Sequence, residues 1–131
     1  MSIQCALNTA IYTAIGGTVT SAGTAVFFEK APDNKPLPYV VWDFVNESDV
    51  NDTSHRLKNC VVFVRAYAST PTGANGIDAQ IDLALHRKTL TVSGYINIQT
   101  QRENGMSLCE TDTAGIRTYM SGADYRILNS K

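Results

Sequence analysis

The chain has 131 residues and a formal net charge of −1, with 44% apolar and 18% charged residues. That is enough chain to bury one core, and its longest basic run, Arg87-Lys88, is far short of the clustered cations with which a duplex-binding protein displaces counterions. No stretch approaches the ~18 apolar residues of a membrane span, and a charged share below the roughly 25% usual for soluble domains suits a surface partly covered by partners.

Taken in order, Ser2 is placed to cap a helix whose apolar residues Ile3, Leu7, Ala10, Ile11, Ala14 and Ile15 recur at the three-and-four spacing of one buried face. Gly16-Gly17 offers a left-handed stop after it. Residues 18–24 read as a connection, and Ala25-Val26-Phe27-Phe28-Glu29 as a short first strand. Turn-forming residues from Ala31 to Pro36 then deliver the chain into Tyr39-Val40-Val41-Trp42-Asp43-Phe44, which holds the only tryptophan. Val, Tyr, Trp and Phe fit a pleated, buried surface, so a strand is expected from about Tyr39 to Asn46, covered on both faces.

Residues 46–56 are polar and read as a long loop or the tip of an extended hairpin. From Leu57 to Ala68 the period is two: Cys60, Val62, Val64, Ala66 and Ala68 share one face, and Val61, Phe63, Arg65 and Tyr67 the other. The small first set suits a covering helix; the second suits an exposed or contacting face. Ser69-Thr70-Pro71-Thr72-Gly73 leads to a second helix striped by Ala74, Ile77, Ile81, Ala84 and Leu85. Asp78 and Asp82 fall off that stripe, and with Arg87-Lys88 they follow the helix dipole. Tyr95 to about Arg102 alternates as a strand, 103–115 reads as one long mobile loop with room for a short hairpin at Asn104-Gly105, and Ile116–Leu128 as a last strand with a bulge or bend at Ser121-Gly122-Ala123-Asp124. The expectation is therefore a single α+β domain: a mainly antiparallel or mixed sheet of four to five strands with two helices packed on one face.

Chemistry is hard to assemble from these residues. Ser54, His55 and Asp52 or Asp49 are neighbours in one loop, which cannot set triad geometry. Asp49, Asp52 and His55 lack the spacing of a calcium loop. Gly73-Ala74-Asn75-Gly76 opens a helix without the lysine of a phosphate loop. Cys60 reads as a small core residue, Cys109 as an exposed thiol, and three cysteines without a CxxC fit a reducing setting. His86, near the end of the second helix, reads as a surface residue without metal-ligand partners.

The order of elements does resemble something known. The entry Leu37-Pro38-Tyr39-Val40-Val41-Trp42, the strand ending Val64-Arg65-Ala66-Tyr67-Ala68, the Ala74/Ile77/Ile81/Leu85 helix and the phrase Leu90-Thr91-Val92-Ser93-Gly94 resemble, in this order, the tail-completion or tail-terminator proteins of long-tailed bacteriophages. The resemblance runs from about residue 3 to 128. It implies a virion protein of the tail and neck, assembled in the host cytoplasm without catalysis or cofactor. It further implies a homo-oligomeric ring, commonly a hexamer, at the head-proximal end of the tail tube. Its partners would be the tube protein and the head-side connector, and DNA would pass the lumen without sequence-specific contact. A head-closure or other neck protein is the nearest alternative; a small cytosolic enzyme or a ligand-binding module is further off. Candidate contact residues are Trp42, Phe63, Arg65 and Tyr67 on strands, Asp49, Asp52 and His55 in the first polar loop, and Arg102, Glu103, Glu110 and Asp112 at the second.

Overall fold

The computed structural model describes residues 3–18, 26–31, 36–51 and 56–130. The expected cap at Ser2, most of the turn at 31–36, and Asp52, Ser54 and His55 lie outside these residues. The elements run α1 (Ile3–Thr18), β1 (Val26–Phe28), β2 (Tyr39–Asn51), β3 (Arg56–Ala68), α2 (Pro71–Leu85), β4 (Ile96–Thr111) and β5 (Arg117–Ser130). The strands form one sheet in the order β1-β2-β3-β5-β4, with β1 parallel to β2 and every other pair antiparallel. This is the mixed α+β sheet expected.

α2 starts where its sequence dictates. Thr70 holds extended backbone, its hydroxyl accepts the Gly73 N–H at 3.0 Å, and Pro71 takes the first helical position, where no N–H is needed. α1 departs from expectation, because helix continues through Gly16-Gly17 to Thr18. Glycine permits a left-handed stop without requiring one, and the buried Ile15 anchors this last turn.

Both helices lie on one face of the sheet. Beneath them register brings Val40, Trp42 and Phe44 of β2 opposite Ala66, Val64 and Val62 of β3, which in turn oppose Ser121, Ala123 and Tyr125 of β5. Leu7, Ile11 and Ile15 of α1 and Ile77, Ile81 and Leu85 of α2 are buried against this layer, each contributing roughly 1.5–3 kcal/mol of apolar burial. Trp42 is 3% exposed; its indole N–H donates to Asn8 Oδ1 at 3.2 Å, and its ring lies 6.2 Å from that of Tyr12. The proposed contact role for Trp42 is thus corrected: period two sets it on the helix-covered face.

Two further expectations fail in the C-terminal half. Residues 103–111 are strand, not loop, and the β4–β5 hairpin closes at Asp112–Gly115, where Asp112 Oδ1 accepts the N–H groups of Ala114 and Ile116, both at 2.9 Å, and Gly115 has φ 82°. Asn104-Gly105 sits instead at a register shift between Arg102 and Gly105. β5 runs through Ser121–Asp124 without a bulge. Gly122 is needed there for close approach: a Cβ would stand 2.6 Å from the Val64 carbonyl oxygen and 2.8 Å from Arg65 Cα.

Likewise β2 continues to Asn51, so residues 46–51 belong to a long β2–β3 hairpin. Leu57 pairs with Ser130 and Ala68 with Tyr119. The β2–β3 and β4–β5 hairpins therefore close at opposite ends of the sheet.

Candidate assembly surface

The face turned away from the helices carries side chains in rows fixed by register. Tyr39, Tyr67, Met120 and Leu108 stand opposite one another across β2, β3, β5 and β4. Phe27, Val41, Arg65, Gly122 and Met106 form a second row that crosses all five strands. Asp43, Phe63 and Asp124 begin a third. Ring centroids of Tyr39 and Tyr67 are 5.2 Å apart, and those of Phe27 and Tyr39 6.5 Å. Aromatic pairs at such separations add to plain burial. Val41 and Met120 are buried by these neighbours, while Met106 and Leu108, towards the β4 edge, remain about half exposed. Burial raises the Tyr67 hydroxyl above its ordinary pKa.

Phe63, Arg65 and Tyr67 thus fall together on this open face, as their alternation predicts. Arg65 is paired within the chain: its Nη2 donates to Asp43, and its guanidinium carbon lies 5.4 Å from the centroid of the Phe63 ring. Asp49 lies on β2 and pairs with Lys58 at 2.8 Å, and Lys58 also reaches Glu47 at 3.0 Å. Glu103 pairs with Arg126. Glu110 is exposed, opposite Thr118 near the β4–β5 turn, and Asp112 is engaged in forming that turn.

Arg102 is the exception among the charged candidates, because it is held inward. Its Nη2 and Nη1 donate to the two carboxylate oxygens of Asp78 at 2.8 and 3.1 Å, and Nη1 also reaches the Tyr125 hydroxyl at 3.2 Å. Ser121 Oγ donates to Asp78 at 3.0 Å, and the Arg102 backbone N–H donates to His86 Nδ1 at 3.0 Å. The Asp78 bonds raise the Arg102 pKa above its already high ordinary value, and burial pushes the Tyr125 hydroxyl up to about 12. This cluster fixes the base of the β4–β5 hairpin to α2. Asp78 falls off the apolar stripe of α2 yet is 8% exposed. A local stripe could not reveal a partner 24 residues away.

Elsewhere the structure offers little chemistry. Burial pushes the Cys60 thiol up to about 11, so it stays protonated near neutrality. No group of His, Cys, Asp and Glu with metal-site geometry occurs among the described residues. A groove of about 610 Å³ lies between α1 and residues 89–93, lined by residues such as Ala10, Thr13, Ala14 and Leu90. The Thr9 and Thr13 hydroxyls point back to the carbonyls of Cys5 and Thr9. On the α1 side the groove therefore presents methyl groups, while Thr89, Thr91 and Ser93 line its other wall.

A family model described as tail completion protein gp17 matches residues 7–128. The chain belongs to this family. It is accordingly a structural component of a bacteriophage virion, of the tail and neck. A chain in the solved structure titled "Virion of native gene transfer agent (GTA) particle" superposes on this tail completion protein with a TM-score of 0.81 at 17% identity, over 99% of this chain and 98% of its own. A second solved chain gives a TM-score of 0.58 at 13% identity, over 97% of this chain and 96% of its own. At these identities the likeness concerns the fold. No curated protein sequence matches.

Proposed function

We propose that this tail completion protein closes into a ring, commonly of six copies, at the head-proximal end of the tail tube. There it ends tube polymerisation and presents the surface to which the head-side connector joins. The observation that carries this reading is the sheet itself. One face is sealed by both helices; the other bears uncovered rows of aromatic and apolar side chains, and the two long hairpins leave at opposite ends. A ring subunit needs lateral contacts that close on themselves and separate surfaces for the neighbours above and below. The role is non-catalytic: Asp78 and Arg102 brace a hairpin, Asp112 forms a turn, and Cys60 is a buried packing group.

Deletion of the gene from its phage tests the proposal. Tails of uncontrolled length that fail to join filled heads are expected, with rescue by the gene supplied in trans. Normal, infectious virions from the deletion strain would overturn it. Gold labelling of the protein at the tube–connector junction supports the terminator role, whereas labelling wholly within the connector identifies a head-closure protein.

A further inference from the structure

The two edges of the sheet carry an unusual match. Along β4, the outer side is occupied near its start: the Thr100 carbonyl accepts from Arg87 N–H at 2.7 Å and the Arg102 N–H reaches His86. From Glu103 to Thr111 the strand runs on as an exposed sheet edge. Exposed edges are ordinarily blunted with lysine or proline, and residues 103–111 contain neither. Asn104–Cys109 is also free of charge, with Met106 and Leu108 51% and 49% exposed. At the opposite edge, β1 is three uncharged residues, Val26-Phe27-Phe28, with Phe28 36% exposed.

These edges stand at the same height. Phe27 and Met106 terminate the open-face row that crosses all five strands. The strand directions are opposed, since β4 runs parallel to β3 and β1 parallel to β2. We infer that copies of this chain join edge to edge, the outer edge of β4 around Met106–Leu108 of one copy pairing antiparallel with the outer edge of β1 of the next. Met106 and Leu108 then meet Phe27 on the open face, and the aromatic rows continue across the boundary. A heterologous contact generates either a ring or a helix, depending on the rise per copy. A junction at one height supplies no rise, which favours closure.

This inference rests on the ring reading and specifies its lateral contact. The test uses two single variants, Phe27→Cys and Met106→Cys, in a Cys5→Ser, Cys109→Ser background. They are co-produced in phage-producing cells that lack the wild-type gene. Oxidation is expected to yield a disulfide-linked dimer from the mixture and none from either variant alone, and the double variant should give a ladder up to the ring number. Rings or tails that assemble from the mixture without cross-links would overturn edge pairing and leave the ring intact. Normal virions from the gene deletion would overturn the ring itself. Met106→Lys with Leu108→Lys provides an independent check: incorporation into particles should fall at least tenfold while the melting temperature of the purified chain stays put. Unchanged incorporation would overturn the inference.

Discussion

Arg102→Met removes the cation that secures the β4–β5 hairpin to α2 and leaves the Asp78 carboxylate, 8% exposed, with the Ser121 hydroxyl as its remaining bond in this cluster. Breaking one side of a fully buried ion pair costs about 3–5 kcal/mol. The Arg102 side chain is 25% exposed and Asp78's 11%, so water partly replaces the lost donors, and about 2–3 kcal/mol is expected. For a domain between the usual size classes this corresponds to a fall in melting temperature of roughly 8–12 °C. Thermal unfolding followed by circular dichroism reads it directly. A companion cycle sharpens the cause. Asp78→Leu combined with Arg102→Met removes both charges, and the pair should couple by about 1–2 kcal/mol, the double variant being less destabilised than the two singles summed. A loss below about 0.5 kcal/mol for Arg102→Met, or strict additivity in the cycle, would refute the bracing role and return Arg102 to the surface.

Stability should also fall in alkali. Cys60 is raised from 9.0 to about 11 and Tyr125 from 10.0 to about 12, both chiefly by burial. The unfolded chain therefore releases these protons first, and stability present below pH 9 is lost progressively as pH rises to 12. Cys60→Ala should flatten the lower part of that decline in urea titrations; an unchanged slope between pH 9 and 11 counts against it. Gly122→Ala sets a Cβ against backbone of β3, for an expected loss of about 1–3 kcal/mol in chemical denaturation; a stability equal to wild type would show that the strands can part without cost. Glu110→Lys should move monomer stability by less than about 0.5 kcal/mol while reducing the yield of joined virions in complementation. A matching loss of thermal stability would argue that Glu110 serves the fold.

What could be read from the chain beforehand was whatever local periodicity governs. The α1 and α2 stripes and the two faces of β3 follow from spacing alone, because each depends on one element and one buried layer. The period-two alternation also gathered Phe63, Arg65 and Tyr67 correctly. It failed for Trp42 because the strand is apolar on both sides, so alternation gave no sign of which side the helices take. The burial of Asp78 was not legible for a related reason: a carboxylate beside an apolar stripe is normally solvated, and the arginine that draws it in arrives from another strand. The polar segment 103–111 carries too few β-branched residues to announce a strand; pairing with β5 creates it. Ser121-Gly122-Ala123 looked like a break because small residues often mark one. Here they mark where two backbones press together.

The opposed hairpins give the molecule a direction. At one end Lys58 sits between Glu47 and Asp49; at the other, a turn built on Asp112 stands beside Glu110 and the 63% exposed Ile116. Any layer made of copies standing the same way up inherits two unlike sides. A filament lengthens only while each added layer restores the surface it has just covered. A layer whose outward side does not reproduce the surface it has covered offers the next arrival something different, so a single round of addition of such a layer is enough to change what the end of a growing structure will accept.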